Sequence, residues 1–236
     1  MHSIIESIRK QLLENADEKT KEGGKRFFKE EIHLYGVKTG TVTKIGKQTF
    51  EMIKEKPKND IFNLCEELWQ SGIMEESFIA CDWAYAIRNR FTPDDFTIFQ
   101  RWVSEYVSNW ASCDTFCNHT LGAFLERYPS FAGNLKDWCN SHNRWVRRAS
   151  AVSFILPARK GLFKEDIFEI ANILLLDSDD LVQKGYGWML KSLAEAYEND
   201  VYQYVLDRKS VMPRTALRYV IEKMPEERRR EAMKRT

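Results

Sequence analysis

Apolar residues recur every three or four positions along almost the whole chain, and this spacing restricts the possible folds more than any other feature. The first such run consists of Ile4, Ile5, Ile8, Leu12 and Leu13. Later runs include Phe62, Cys65, Leu68 and Trp69, and then Phe96, Phe99, Trp102, Val103 and Tyr106. This periodicity predicts amphipathic helices. No segment alternates apolar and polar residues for long enough to predict a strand, so we expect an all-α protein.

Helix-breaking residues divide these helices at a regular interval. They lie at residues 57–60, 92–94, 128–130, 161 and 199–200, so helices are expected to begin near residues 60, 94, 130, 164 and 199. This spacing of about 35 residues leaves room for two helices and a turn, as in helical-repeat solenoids. Because no TPR or ankyrin consensus is present, we predict degenerate, HEAT-like antiparallel helix pairs, with an up-and-down bundle as the competing fold. We expect one domain over residues 1–236, with N-terminal helices in 1–56 and about five helix pairs in 57–236.

Composition excludes several classes of protein. Of the 236 residues, 43% are hydrophobic and 13% aromatic, which is too apolar for intrinsic disorder. The longest uncharged apolar run, residues 149–158, is shorter than the roughly 20 residues of a membrane span. Charges throughout residues 1–19 argue against a secretory signal. Five scattered cysteines indicate a reducing environment, so we expect a cytoplasmic protein without membrane association.

Charge is unevenly distributed although the net charge is only +1. Residues 138–164 carry six basic and no acidic residues, whereas residues 165–207 carry two basic and ten acidic ones. Residues 208–236 carry ten basic and four acidic ones. Such alternation fits a basic face for nucleic acid, and solvated helix faces explain it as well. We interpret the C-terminal cluster as a solvated helix end that could assist DNA binding; it contains Arg228, Arg229, Arg230, Lys234 and Arg235.

Residues 109–114 place an indole and a carboxylate at a predicted helix start. We interpret Ser112 as the N-cap, which puts Asp114 in the first turn, where the helix dipole favours a carboxylate. Trp110 then precedes the helix and lies close to Asp114. The alternative is an ordinary capped helix with a buried tryptophan.

An arginine stripe follows in residues 143–151. Helical geometry places Arg144, Arg147 and Arg148 on one face, away from the core face that contains Trp145. Residues 138–164 contain no acidic residue, so the stripe requires an anion from elsewhere. That anion is either phosphate, which suits the guanidinium fork, or a carboxylate within residues 165–207.

Two glycines interrupt the helical pattern of residues 183–191. Gly185 and Gly187 each cost about 1 kcal/mol relative to alanine within a helix. That cost indicates close approach of another helix or of a ligand. Trp188 lies directly beside them.

Taken together, these stretches resemble the AlkD-like alkylpurine DNA glycosylases, a bacterial DNA alkylation repair family built from HEAT-like repeats. The resemblance covers essentially the whole chain and includes LYGVKT at 34–39, ELW at 67–69, WVRRA at 145–149 and QKGYGW at 183–188. It implies a concave basic groove on double-stranded DNA, hydrolytic release of N3- or N7-alkylated purines, and a monomer. It implies that Asp114 is the catalytic carboxylate and that Trp110 and Trp188 pack around the lesion deoxyribose. Arg148 is implied to contact the DNA backbone.

Further DNA contacts follow from the basic residues and from the same resemblance. We expect phosphate contacts to be assisted by Arg144, Arg147, Arg159 and Lys160. The resemblance also implies DNA contacts at Phe27, which replaces a tyrosine, and at Lys38, which replaces a neutral amide residue. Asp180 and Leu181 replace an aromatic pair. These departures leave the implied catalytic set intact, and they leave lesion preference and the details of DNA contact open.

A single carboxylate is sufficient for this chemistry. An N3- or N7-alkylated purine already carries positive charge and departs as a neutral base, so no general acid is needed. One carboxylate stabilises the oxocarbenium-like sugar and orients a water molecule, and flanking indoles add cation–π attraction.

No cofactor or metal is expected. Cys113, Cys117 and His119 form C-x3-C-x-H, but His119 points away from the cysteines on a helix, so we interpret both cysteines as core residues rather than zinc ligands. The histidines, His2 among them, lack a catalytic partner in sequence, and no P-loop or dinucleotide motif indicates a nucleotide cofactor. The alternative function is a non-catalytic HEAT-like module that binds DNA or a protein.

Overall fold

The computed structural model describes residues 3–234, so the interpretations of His2 and Arg235 fall outside the described residues. The described chain forms two compact units that divide after Phe116. Its regular structure is helical, apart from one isolated β-bridge between His33 and Ile73. The all-α prediction is therefore confirmed.

Seven α-helices form the first unit. They are α1 (Ile4–Glu14), α2 (Glu18–Lys25), α3 (Thr39–Glu51), α4 (Lys58–Gln70), α5 (Met74–Ala86), α6 (Asp95–Glu105) and α7 (Trp110–Thr115). A 3-10 turn at Arg88–Arg90 follows α5. The first helix shows how local sequence fixes these elements. Ser3 and Glu6 form a reciprocal capping box, and the apolar face of α1 is buried.

An aromatic cluster forms the core of the first unit and anchors α7. Phe116, at the end of α7, lies 5.9 Å from Trp69, 5.7 Å from Phe99 and 5.7 Å from Trp102, measured between ring centroids. Phe62 packs edge-on against Trp102 at 5.6 Å. Buried aromatic pairs of this kind add about 0.5–1.5 kcal/mol each beyond the area that they bury. The position of α7 is therefore fixed by its buried side.

A buried carboxylate fixes the segment that precedes α3. Glu75 accepts hydrogen bonds from the backbone N–H groups of Tyr35 (3.1 Å), Gly36 (2.8 Å) and Val37 (3.0 Å). Gly36 has φ of +91°, and a Cβ at this position would lie 2.5 Å from the carbonyl oxygen of Asp17, so only glycine fits. This arrangement sets the point at which α3 begins.

Eight α-helices form the second unit, after a π-helical segment at Phe116–Leu121. They are α8 (Gly122–Arg127), α9 (Ala132–Trp138), α10 (Arg144–Val152), α11 (Ile155–Arg159), α12 (Lys164–Ile173), α13 (Asp180–Arg208), α14 (Arg214–Ile221) and α15 (Glu226–Met233). A 3-10 turn at Pro129–Phe131 precedes α9, and α13 kinks at Tyr197. The long α13 packs against α10, α11 and α14 and is the central element of this unit.

Hydrogen bonds and ion pairs show the repeat in both units. In the first unit they join Lys58 to Asp95, Ser77 to Ser112, and Glu66 to Arg101. In the second unit they join Arg144 to Asp179, Glu126 to Lys160, and Gly161 to Tyr197. Each pair is separated by 34–37 residues. Contacts that recur at an offset of about 35 residues are what stacked repeats produce, which supports HEAT-like repeats within each unit. The complete solenoid and its basic groove stay predictions.

Candidate active site

The helix that carries Trp110 and Asp114 begins earlier than the sequence predicts. Asn109 is the N-cap, and its Oδ1 accepts a hydrogen bond of 2.9 Å from the backbone N–H of Ser112. The prediction that Ser112 caps this helix is therefore wrong. Trp110 is the first residue of α7 and Asp114 is the fifth, outside the first turn. Because residues four apart share a helix face, the corrected register places both side chains on one side of α7.

The other side of α7 is held in the core. The Ser112 and Ser77 hydroxyls share a buried hydrogen bond of 2.7 Å, which joins α7 to α5. Cys113 is fully buried. Trp110 and Asp114 are half-buried, so both side chains reach the surface of a helix that cannot rotate. The π-helical segment begins two residues after Asp114, and such segments are frequent near functional sites.

Residues 27 and 28 pack against Trp110. The indole Nε1 donates a hydrogen bond of 3.4 Å to the Phe27 carbonyl oxygen. The Phe28 ring stacks on the indole with a centroid separation of 5.1 Å and an interplanar angle of 17°. The Phe27 ring is 77% exposed, so Phe27 contacts Trp110 through its backbone. Phe28 was not among the predicted site residues, although two adjacent aromatic residues in an otherwise polar segment are a usable signal.

Lys38 lies at the surface at the start of α3. It is the N-cap residue of that helix and makes no side-chain cap. Asp17 lies close enough that the Lys38 charge lowers its pKa, although hydrogen bonds from Thr20 are the main cause of that shift. A lysine at a helix N-terminus presents two favourable features to an anion, its own charge and the helix dipole.

Two arginines of the predicted stripe form ion pairs with the acidic segment. Arg144 donates to Asp179 at 3.1 Å. Arg147 donates to Asp177 at 2.6 Å and also to the Ser141 carbonyl oxygen at 2.9 Å. The sequence predicted either phosphate or a carboxylate as the partner of these arginines. In the structure, the partner of both is a carboxylate from residues 165–207.

The remaining predicted basic helpers are also paired. Lys160 lies 2.7 Å from Glu126. Arg159 lies 3.7 Å from Glu195. In the C-terminal cluster, Arg228 lies 2.8 Å from the Glu198 carboxylate, and α15 is otherwise mainly exposed. The charge of residues 138–164 is therefore largely compensated within the second unit.

Arg148 differs from its neighbours because its side chain is buried. It is 5% exposed, and its guanidinium donates a hydrogen bond to the Leu181 carbonyl oxygen. A Cβ at Gly185 would lie 3.3 Å from Arg148 Cγ and 3.5 Å from its Nη1. Gly185 therefore lets the Arg148 side chain cross α13 at close range. Trp188 is half-buried and lies one turn further along the same face of α13.

Gly187 allows a different close contact. A Cβ at this position would lie 2.8 Å from the Tyr219 Cβ and 3.0 Å from the Ala216 carbonyl oxygen, both in α14. Of the two explanations for the glycines, packing of neighbouring protein groups accounts for both. The two glycines are therefore explained by packing within the protein. Arg148 contacts α13 at Gly185, and α14 contacts α13 at Gly187.

Each unit brings together part of the predicted set. The first unit groups Trp110, Asp114 and the Phe27 carbonyl, with Lys38 at the start of α3. The second unit groups Arg148 and Trp188 along α13. Arg144, Arg147 and Lys160 are occupied by carboxylates, and their predicted DNA contacts stay predictions.

The five cysteines are buried in the protein. Within residues 3–234, no group of three or more His, Cys, Asp or Glu side chains lies close enough to hold a metal ion. Cys113 and Cys117 are both fully buried. Burial also raises the pKa of the Cys139 thiol to about 11. In the same part of the chain, no helix is both long and apolar enough to cross a bilayer.

Comparison with known proteins identifies the family. A model of the DNA alkylation repair enzyme family matches residues 8–224. The fold is similar to the solved structure of a predicted DNA alkylation repair enzyme from Enterococcus faecalis, with a TM-score of 0.80 and 17% identity over 90% of this chain and 98% of that chain. No curated protein sequence gives a significant match. Because the family model spans most of the chain, this protein belongs to the DNA alkylation repair enzyme family.

Proposed function

We propose that this protein is a DNA glycosylase that hydrolyses the N-glycosidic bond of N3- or N7-alkylated purines in double-stranded DNA. The observation that carries the proposal is the shared surface of Trp110 and Asp114 on α7. Ser112, Cys113 and Phe116 lock the opposite side of that helix in the core. A carboxylate and an indole are thereby held side by side in a repair-enzyme chain.

Asp114 supplies the electrostatic and positional part of the reaction. As the glycosidic bond breaks, its electron pair stays on the purine nitrogen and neutralises the positive base. The sugar becomes an oxocarbenium-like cation that the Asp114 carboxylate stabilises. The same carboxylate orients a water molecule toward C1′ and takes up its proton when the new C–O bond forms. The products are a neutral alkylated base and an abasic site.

Two indoles complete the proposed catalytic set. Trp110 presents its ring beside Asp114, and Trp188 presents a half-buried ring on α13. An indole face attracts a cation by about 0.5–2 kcal/mol, depending on how far the pair is desolvated. We assign both rings to the lesion deoxyribose, where positive charge develops in the transition state.

We assign the DNA backbone contacts to Lys38, Phe27 and Arg148. Lys38 and the Phe27 ring are exposed on the first unit. Arg148 is assigned on the resemblance, with Gly185 allowing its passage across α13. For Arg147 to bind phosphate, it must first release the Asp177 carboxylate at 2.6 Å. Arg147 is therefore a weaker contributor than its charge suggests.

The test is single-turnover release of 7-methylguanine and 3-methyladenine from methylated duplex DNA, measured by mass spectrometry. Asp114→Asn keeps the shape of the side chain and removes its charge, so we expect the rate constant to fall by about 10²–10³-fold. The Kd for the same duplex, measured by fluorescence anisotropy, should stay within about twofold. Asp60→Asn, which neutralises an exposed carboxylate in the first turn of α4, is the matched control and should keep the full rate.

Two outcomes contradict the proposal. If Asp114→Asn releases base as fast as the unaltered protein, the carboxylate is not catalytic. If the unaltered protein binds the duplex but releases no base, the non-catalytic DNA-binding module is the correct function.

A further inference from the structure

The Trp110 indole is restrained in two independent ways by consecutive residues. Its Nε1–H bonds to the Phe27 carbonyl oxygen at 3.4 Å, which fixes the direction in which the ring edge points. The Phe28 ring lies nearly parallel to the indole at 5.1 Å and 17°, which fixes the plane of the ring. Together these contacts restrict both side-chain torsion angles of Trp110, whose indole otherwise lies at the surface.

The segment that makes these contacts is itself anchored to α2. The Phe27 N–H donates to the Gly24 carbonyl oxygen at 3.2 Å, and the Phe28 N–H donates to the Lys25 carbonyl oxygen at 3.1 Å. Residues 27 and 28 therefore continue directly from the end of that helix. A helix-anchored ring holds its neighbour in place more firmly than a ring on an unstructured loop.

We propose that Phe28 is a positioning residue, which holds the Trp110 indole in the plane that its contact with the substrate sugar requires. This inference rests on the proposed function and adds a residue to it. Phe28 covers one face of the indole and excludes water from it. The opposite face is thereby presented beside Asp114 on α7. Phe28 acts through Trp110 and touches neither the sugar nor the base.

Single-turnover release of 7-methylguanine tests the role in the reaction. We expect Phe28→Ala to lower the rate constant about three- to tenfold, the range that corresponds to loss of one aromatic pair. Phe28→Leu keeps the apolar volume but has no ring, so its rate constant should be similar to that of Phe28→Ala. Phe28→Tyr keeps the ring and should restore the rate to within twofold. The Kd for duplex DNA should change less than twofold in all three variants.

A double-mutant cycle separates positioning from general stability. If Phe28 acts through the indole, Phe28→Ala has no further effect on the rate in a Trp110→Ala background. Phe50→Ala, which removes a half-buried ring from α3 of the same unit, is the stability control. This variant should be less stable and should keep the full rate. Full activity of Phe28→Ala, or an undiminished effect in the Trp110→Ala background, overturns the proposal.

Acrylamide quenching tests the same contact without catalysis. The Trp110 contribution to fluorescence is the difference between each Phe28 variant with and without Trp110→Phe. We expect Phe28→Ala to raise the quenching constant of this contribution about twofold or more, and Phe28→Tyr to leave it unchanged. An unchanged constant in Phe28→Ala overturns the proposal. If the unaltered protein releases no base, the proposed function fails, and the quenching result alone decides whether Phe28 holds the indole.

Discussion

Replacing Gly185 or Gly187 of α13 by alanine adds one methyl group, and the two substitutions should have different effects on the free energy of unfolding. Replacing either residue by alanine gains about 1 kcal/mol of intrinsic helix stability. At Gly187 the new Cβ would lie 2.8 Å from the Tyr219 Cβ and 3.0 Å from the Ala216 carbonyl oxygen. These atoms belong to the α14 backbone or are bonded directly to it, so the helix itself must move. Overpacking of this kind costs about 1–3 kcal/mol, and we expect a net loss of about 1 kcal/mol.

At Gly185 the neighbours are flexible. The new Cβ would lie 3.3 Å from Arg148 Cγ and 3.5 Å from Arg148 Nη1, both in a side chain that can change rotamer. We therefore expect Gly185→Ala to be at least as stable as the unaltered protein. We expect the new rotamer to move the guanidinium away from its present position while it keeps the Leu181 carbonyl oxygen as its hydrogen-bond partner. DNA affinity should then fall about three- to tenfold, within the range for a charged hydrogen bond.

Urea unfolding followed by far-UV circular dichroism measures the first effect, and fluorescence anisotropy with duplex DNA measures the second. The expected pattern is a stability loss confined to Gly187→Ala and an affinity loss confined to Gly185→Ala. If both variants lose the same free energy of unfolding, the contacts assigned to the two glycines are wrong. If Gly185→Ala binds DNA normally, the crossing of Arg148 over α13 does not serve DNA binding.

Two further predictions concern salt and pH. Lys38→Ala should reduce the slope of log affinity against log salt by about 0.9, the value for one phosphate. Arg147→Ala should leave that slope unchanged, because Arg147 is paired with Asp177, and equal slopes for the two variants refute this distinction. Burial raises the pKa of Tyr204 to about 12, above the ordinary value of about 10. The unfolded chain therefore loses this proton first, so stability is complete below about pH 10 and falls as pH rises through about 12. In Tyr204→Phe, unfolding free energies measured from pH 9 to 12 should decline about 2 kcal/mol less, and parallel curves contradict the assignment.

Helix positions were predictable from sequence because they depend on local spacing and local breakers. The predicted starts near residues 60, 94, 130 and 164 correspond to observed starts at Lys58, Asp95, Ala132 and Lys164, whereas near residue 199 no new helix starts and α13 only kinks, at Tyr197. The start of α7 was not predictable in this way. Asn109 and Ser112 are both good capping residues three positions apart, and the side chain that caps is decided by tertiary contact. Ser112 turns inward because Ser77 offers it a buried partner.

The environment of the candidate site depends on contacts that are distant in sequence. Glu75 fixes the backbone of residues 35–37 from a position almost 40 residues away. Nothing local marks Glu75 as different from the many exposed glutamates of the chain. The stacking of Phe28 on Trp110 likewise joins residues from the two ends of the first unit. The family resemblance therefore supplied the candidate catalytic residues, and local sequence did not reveal the residues that hold them.

The electrostatics of the repeats follow from their offset. Segment charge counts indicated a strongly basic stretch at residues 138–164, but a side chain in a stacked repeat faces the residue one repeat away. For Arg144 that residue is Asp179, at an offset of 35, and the two form an ion pair. For Arg148 the same offset reaches Gln183, close to the carbonyl of Leu181 that accepts its hydrogen bond. The charge at an offset of one repeat is thus a better guide to the partner of Arg144 than the charge of its own segment, whereas Arg147 pairs with Asp177 at an offset of only 30.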